Sequence, residues 1–102
     1  MTGSELEYIA EAVENLYLSG NGPFTRRCAD WLEGRLGCAR VLFTPSGTGA
    51  LELGALLLGL EEGDEVIMPS FTFPTTASAV ALRGATPVFV DVCEDTLNID
   101  VD

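Results

Sequence analysis

The first third of the chain carries apolar residues at the spacing of two amphipathic helices. Ser4 and Glu7 match a capping box, the polar pattern that opens a helix. The apolar positions behind them recur every three or four residues: Leu6, Ile9, Ala10, Val13, Leu16 and Tyr17. This pattern predicts a first helix that ends near Ser19-Gly20. A loop then leads to Pro23, which suits the first turn of a second helix, and Gly37 ends that helix.

The pattern changes period after Arg40, where short apolar runs alternate with longer apolar segments. The predicted order is strand 41–43, helix 50–60, strand 65–68, helix 74–83 and strand 86–92. Strands that alternate with helices predict an α/β fold, β-α-β-α-β, with a mostly parallel sheet. Both helices of this part are apolar on all sides, so we expect them to be buried. Three strands with open edges are an incomplete architecture.

The composition excludes several kinds of chemistry. The 102 residues hold 16 acids against five bases, which gives a formal net charge of −11. All the bases are arginines, and the chain has neither lysine nor histidine. Histidine therefore cannot act as a general base or metal ligand, and no lysine amine can form a Schiff base. The acidity argues against nucleic acid and anionic membranes as partners, and no apolar run approaches the roughly 20 residues that span a bilayer.

The cysteines and the N-terminal segment indicate the compartment. Cys28, Cys38 and Cys93 are odd in number and lack CxxC spacing, and no histidine is present to complete a zinc site. We therefore expect buried, reduced thiols and no bound metal. Residues 1–7 are acidic where a signal peptide is basic, which predicts a cytoplasmic protein.

The turn Ser46-Gly47-Thr48-Gly49 is a candidate anion site. It lies between a predicted strand and a predicted helix, where backbone N–H groups and the helix dipole favour a negative charge. The Ser46 and Thr48 hydroxyls can donate to phosphate oxygens, but an ordinary helix cap explains the same residues equally well. The turn has neither the lysine of a Walker loop nor the GxGxxG spacing of a dinucleotide site.

Two further loops leave their roles open. Loop 70–73 follows the strand 65–68 at the carboxyl end, where doubly wound sheets bind ligands, and its aromatic residues can stack on a planar ring. Core packing is the commoner role of a lone phenylalanine. Loop 20–25 is either a plain interhelical turn or a mobile binding loop, and its spacing does not decide between them. We expect the acids near turns to be solvated or to cap helices, and Arg26-Arg27 to balance neighbouring acids.

Four segments of the sequence resemble the DegT/DnrJ/EryC1/StrS family of sugar aminotransferases. They are GNGPFTRRCADWLE, TPSGTGALEL, GDEVIMPSFTFPTTASAVALRGATPVFVDV and DTLNID. The resemblance runs from Leu16 to Asp100 and keeps the order and spacing of the family. It implies the aspartate-aminotransferase fold (fold type I), with an N-terminal helical segment at 1–37 and the first part of the large cofactor-binding domain at 38–102.

The resemblance also implies a cofactor, substrates and site residues. Members of the family are pyridoxal-phosphate (PLP) enzymes and homodimers, and the implied reaction moves an amino group from glutamate to a dTDP-4-keto-6-deoxyhexose. Gly47 and Thr48 match the turn that grips the cofactor phosphate, and Phe73 matches the aromatic residue that lies against the pyridine ring. Gly22-Pro23-Phe24 matches a loop near the active site at the dimer interface, which implies contact with the substrate.

The Schiff-base lysine of the family has no counterpart in this sequence. In the family it lies far downstream of the matching segments, and none of the 102 residues is a lysine. We therefore expect an N-terminal fragment with no catalytic residue of its own, inactive by itself, and with weak or absent binding of PLP. The alternative is a non-catalytic binding or assembly module that keeps the same fold.

Overall fold

Four helices and two strands form within residues 3–101, the part of the chain that the structure, a computed structural model, describes. They are α1 (Glu5–Glu14), α2 (Pro23–Leu36), α3 (Gly47–Leu57), β1 (Glu65–Pro69), α4 (Pro74–Ala81) and β2 (Thr86–Val90). The chain divides into two compact units, the first up to Phe43 and the second from Thr44 onward. The first unit therefore holds α1 and α2, and the second holds the other four elements.

Helix α1 begins directly after Ser4, as predicted, but without the capping box. The Ser4 side chain makes no cap hydrogen bond, and the Glu5 carboxylate accepts the Gly3 N–H at 2.9 Å. The helix ends at Glu14, so the predicted end near Ser19-Gly20 is wrong. Leu16 adopts a left-handed conformation with φ +52°, which turns the chain out of the helix although leucine carries no local signal for it.

Helix α2 has the bounds that its proline and glycine predict. Pro23 occupies the first helical position, where its missing N–H costs nothing. Gly37 is the C-cap in the left-handed conformation, with φ +66°, which glycine adopts without strain. The prediction for this helix is confirmed at both ends.

Aromatic rings and one arginine join α1 to α2. The Tyr8 and Phe24 rings meet edge to face with centroids 5.7 Å apart. The Arg27 guanidinium lies 5.0 Å from the Phe24 centroid and 3.1 Å from the Glu11 carboxylate, so Arg27 balances an acid as expected. Because the ion pair is about half exposed, the ring contacts contribute more to stability than the ion pair does.

The strand predicted at 41–43 does not form. The chain there has no regular structure, and Leu42 and Phe43 are 62% and 50% exposed. The Val41 N–H donates to a Glu33 side-chain oxygen at 2.9 Å and not to a neighbouring strand. A strand requires a backbone ladder, and within residues 3–101 no segment pairs with 41–43. The predicted three-stranded order is therefore wrong in its first strand.

The second unit is built around a parallel pair of strands joined by a helix. β1 pairs with β2 in a register that runs from Glu65 opposite Thr86 to Pro69 opposite Val90. The α4 helix makes the connection, and Gly84, with φ +82°, turns the chain towards β2. This arrangement confirms the α/β class with a parallel sheet, reduced to two strands in the described residues.

The core is small and lies in the second unit. The buried hydrophobic residues of the described chain are Ala55, Met68, Ala79, Val80 and Ala85. Helix α3 buries only Ala55, and Leu56, Leu57 and Leu58 at its end are exposed, so its predicted burial is wrong. Two strands offer too little surface to cover two apolar helices.

The cysteines also lie outside any core. All three are free; Cys28 and Cys38 are exposed and Cys93 is half-buried, so the expected burial of these thiols is wrong. Cys28 lies on helix α2, which buries none of its residues. None of the described helices is both long and apolar enough to cross a membrane.

Candidate functional site

The turn at 46–49 is the beginning of helix α3. Ser46 is the N-cap, with extended backbone (φ −160°, ψ 163°), and its hydroxyl oxygen accepts the Gly49 N–H at 3.1 Å. The helix starts at Gly47, earlier than the predicted start at Ala50. Gly47, Thr48 and Gly49 therefore form the first helical turn and not a loop before it. Ser46 is therefore a helix cap, one of the two roles that the sequence allowed for this turn. The cap occupies the Gly49 N–H and leaves the Gly47 and Thr48 N–H groups available to an anion.

Within the first turn of α3, two backbone N–H groups have no hydrogen-bond partner among the described residues. The Gly49 N–H goes to the Ser46 hydroxyl and the Ala50 N–H to the Ser46 carbonyl, 3.1 Å each. The Gly47 and Thr48 N–H groups make no hydrogen bond to another described residue, as the geometry of a helix N-terminus dictates. Both carry the partial positive charge of the helix dipole.

The donor set at this turn fits a phosphate group. Besides the two N–H groups, it offers the half-buried Thr48 hydroxyl. The space beside Gly47, where a side chain would begin, is open to 4 Å. Residues 41–51 include no acid, so no carboxylate of this segment repels an anion. The arrangement can therefore receive a phosphate oxygen on backbone and hydroxyl donors without a cationic side chain.

Phe73 lies at the N-terminal end of helix α4. Its carbonyl accepts the Thr76 N–H at 3.0 Å, and the Thr72 and Thr76 hydroxyls lie 3.0 Å apart across the same turn. The Phe73 ring is 72% exposed. Within the described residues Phe73 is therefore not packed in a core, because a two-stranded sheet leaves this loop uncovered. The exposed ring is available to contact a planar ligand.

The Gly22-Pro23-Phe24 segment has a packing role in the first unit. Gly22 is buried, and a Cβ there would lie 2.7 Å from Cδ1 of Tyr17. Pro23 opens α2, and the half-buried Phe24 ring packs on Tyr8. Phe24 also lines an open cleft of about 720 Å³. The other residues that line this cleft are Tyr8, Arg27, Cys28, Trp31, Leu32 and Phe43.

The predicted site residues are divided between the two units. Gly47 and Thr48 begin α3, Phe73 precedes α4, and these two helices pack on each other in the second unit. Gly22, Pro23 and Phe24 belong to the first unit.

Sequence reasoning missed Thr44, whose hydroxyl donates to the Ser46 carbonyl at 2.9 Å. The signal for this hydrogen bond is local, because threonine hydroxyls often bond to backbone groups of nearby residues and Thr44 lies two residues before the cap Ser46.

The acidic residues follow the interpretation that the sequence favoured. The Asp64 carboxylate accepts the Glu61 N–H at 2.9 Å and so stabilises the turn before β1. Within residues 3–101, no group of three or more histidine, cysteine or acidic side chains is arranged to hold a metal ion.

The sequence profile of the DegT/DnrJ/EryC1/StrS aminotransferase family matches residues 1–102. GDP-perosamine synthase of Escherichia coli O157:H7 is 34% identical over 101 residues, which are 99% of this chain and 28% of that protein. The 3-oxo-glucose-6-phosphate:glutamate aminotransferase of Bacillus subtilis (strain 168) is 37% identical over 105 residues, 100% of this chain and 24% of that protein. The chain thus spans about a quarter of the length of these relatives.

Solved structures show the same likeness. A DegT DnrJ EryC1 StrS aminotransferase from Brucella abortus superposes with a TM-score of 0.80 at 39% identity, over 91% of this chain and 25% of that one. The GDP-4-keto-6-deoxy-D-mannose-3-dehydratase of E. coli, with bound hydrated PLP, gives a TM-score of 0.83 at 27% identity, over 98% and 28% of the two chains. PLP is therefore the cofactor of solved relatives that share this fold.

Proposed function

Because the chain belongs to the DegT/DnrJ/EryC1/StrS aminotransferase family, we propose that it forms the cofactor-phosphate site of a PLP-dependent sugar aminotransferase. The observation that carries this proposal is the pair of N–H groups on Gly47 and Thr48, which have no partner among the described residues and face an acid-free turn. We assign residues 38–102 to the start of the PLP-binding domain and residues 1–37 to the helical segment before it.

Three residues of the second unit have roles towards the cofactor in this proposal. The Gly47 and Thr48 donors hold the phosphate, and the exposed Phe73 ring contacts the face of the pyridine ring. PLP, when bound, supplies the electron-withdrawing ring that lets an amino group leave one substrate and join another. The residues of this chain anchor and orient it, and they take no part in proton transfer.

The substrates in this proposal are glutamate and a dTDP-4-keto-6-deoxyhexose. The segments GPFTRRC, LRGA and TLNID resemble dTDP-4-amino-4,6-dideoxygalactose transaminase, an activity that serves lipopolysaccharide or common-antigen biosynthesis. The names of two relatives support the general class, because one includes glutamate as the amino partner and the other a GDP-linked sugar as the product. In this proposal the protein is a homodimer in which Gly22, Pro23 and Phe24 contact the sugar nucleotide. The free thiols favour a cytoplasmic setting.

These 102 residues do not catalyse the transfer by themselves in this proposal, because they include no lysine to anchor the cofactor covalently. The lack of a lysine, together with the exposed leucines of α3, favours a second candidate function: a non-catalytic binding or assembly module of the same fold. The coding frame past residue 102 separates the two. An aminotransferase requires a lysine codon there, and an assembly module does not.

The phosphate site is tested by titration of the ¹⁵N-labelled chain. We expect the amide signals of Gly47 and Thr48 to move with PLP and with inorganic phosphate at millimolar concentrations, and to stay in place with pyridoxal, which has no phosphate. Thr48→Glu places a carboxylate in the turn and should weaken phosphate binding at least about tenfold through charge repulsion.

Leu57→Glu is the matched control for this titration. It makes the same charge change at the far end of α3, where Leu57 is 70% exposed, and should leave phosphate binding unchanged. Amide signals of Gly47 and Thr48 that do not move with about 10 mM PLP or phosphate, a concentration that detects even millimolar affinity, would show that this turn is not a phosphate site.

A further inference from the structure

We propose that Thr44 is a positioning residue for the cofactor phosphate. It does not contact the phosphate itself and acts by holding Ser46, and through Ser46 the first turn of α3. The inference rests on the proposed function, because it concerns the same Gly47 and Thr48 donors.

Ser46 is held by three hydrogen bonds, one of which comes from Thr44. The Thr44 hydroxyl donates to the Ser46 carbonyl at 2.9 Å. The same carbonyl accepts the Ala50 N–H at 3.1 Å, and the Ser46 hydroxyl oxygen accepts the Gly49 N–H at 3.1 Å. The peptide group between Ser46 and Gly47 is thereby fixed from its carbonyl side. Its N–H is one of the two donors of the phosphate site.

The backbone around Thr44 is stiff. Pro45 fixes its own φ and restricts Thr44 to extended conformations, so the Thr44 hydroxyl approaches Ser46 from a limited range of directions. Because Gly49 has no side chain, the first turn of α3 lies close to Thr44 and Pro45. A Cβ built on Gly49 would lie 3.6 Å from the Thr44 Cβ and 3.7 Å from the Pro45 Cδ, which is van der Waals contact. Thr44 is half-buried against this first turn.

A turn that is ordered before binding loses less conformational freedom when the anion arrives. Without the Thr44 hydroxyl, the Ser46 carbonyl keeps one hydrogen bond and the Ser46-Gly47 peptide gains rotational freedom. The two free N–H groups then converge on the phosphate for a smaller fraction of the time. Thr44 therefore contributes to the affinity for phosphate without adding a ligand contact.

The test compares Thr44→Val, which removes the hydroxyl at nearly constant shape, with Thr44→Ser, which retains it. The probe is inorganic phosphate, titrated into the whole 102-residue chain. We expect Thr44→Val to weaken phosphate binding about fivefold, the effect of one hydrogen bond, and Thr44→Ser to bind within about twofold of the original chain. Amide hydrogen exchange at Gly49 should be faster in Thr44→Val and unchanged in Thr44→Ser.

Thr86→Val is the matched control, since it makes the same change at the exposed first residue of β2, outside the phosphate site. Binding and Gly49 exchange in Thr44→Val equal to those of the original chain would overturn the positioning role and leave the phosphate site intact. No phosphate binding by the original chain would overturn the proposed site and this inference with it. If Thr44→Val unfolds the second unit, as exchange at β1 would show, Thr44→Ala is compared with Thr44→Ser instead.

Discussion

The two units of the chain are stabilised in different ways. Neither α1 nor α2 buries a residue of its own, and their link is a T-shaped ring pair with an arginine beside it. The second unit has the buried core around Met68 and Val80 and a backbone ladder between β1 and β2. The candidate phosphate turn therefore belongs to the unit with a backbone ladder and a core, which can keep hydrogen-bond donors in fixed positions.

The first unit depends on close packing at single points instead. Gly22 is buried against the Tyr17 ring, and Gly37 takes a left-handed conformation that ends α2. Substitutions in the two units should therefore act by different mechanisms: loss of buried volume in the second, steric overlap and backbone strain in the first.

Met68→Ala tests the core of the second unit and should have the largest effect. Met68 is 3% exposed, and its truncation should cost about 2–5 kcal/mol in the free energy of unfolding of this unit. The measurement is amide hydrogen exchange across β1 and β2, which reports opening of the ladder.

Ile67→Ala is the matched control for Met68→Ala. Ile67 is its neighbour on the same strand but is 65% exposed, so we expect an effect below about 1 kcal/mol. Equal losses for the two variants would mean that Met68 is not in a core.

Gly22→Ala tests the packing of the first unit. The added methyl would meet the Tyr17 ring at 2.7 Å and should destabilise this unit by about 1–3 kcal/mol. Gly20→Ala has no atom within 4 Å of the new methyl and should be close to neutral. Thermal unfolding followed by circular dichroism at the helix band measures both. The double variant Gly22→Ala with Tyr17→Ala should recover most of the loss, and additive losses would contradict the steric origin.

Gly37→Ala should have the smallest of the three effects. The new residue must adopt φ +66°, which costs an L-amino acid about 1–2 kcal/mol. Gly34→Ala, inside α2 with no atom within 4 Å, should instead stabilise the helix by up to about 1 kcal/mol. Helical content measured against temperature should move in opposite directions for the two variants. Movement in the same direction would exclude a specific role for the left-handed cap.

Local signals in the sequence predicted the elements that depend on local chemistry. Pro23 and Gly37 gave both ends of α2, and the alternation after residue 60 gave β1, α4 and β2. The segment 41–43 has the apolar character of a strand, but strand formation depends on a partner, and a run of apolar residues does not reveal whether one is present. The end of α1 depends on Leu16, whose positive φ has no signature in residue type.

The candidate site was also predictable only in part. The glycine and hydroxyl residues of the turn indicated an anion site, and the resemblance to the family selected Gly47, Thr48 and Phe73 from among the alternatives. The residues could not show that helix α3 starts at Gly47, because glycine is a poor helix former and only the Ser46 cap decides the start. Exposure of Phe73 was also unpredictable, since burial depends on which elements surround the loop.

The exposed leucines at the end of helix α3 have a consequence for how the second unit unfolds. The heat capacity of unfolding and the slope of stability against denaturant both scale with the surface that unfolding newly exposes. A unit that already exposes Leu56, Leu57 and Leu58 when folded exposes less new apolar surface on unfolding than a unit that buries such residues. Its stability should therefore vary weakly with temperature, and its urea transition should be broad, even where each individual helix and strand is well formed.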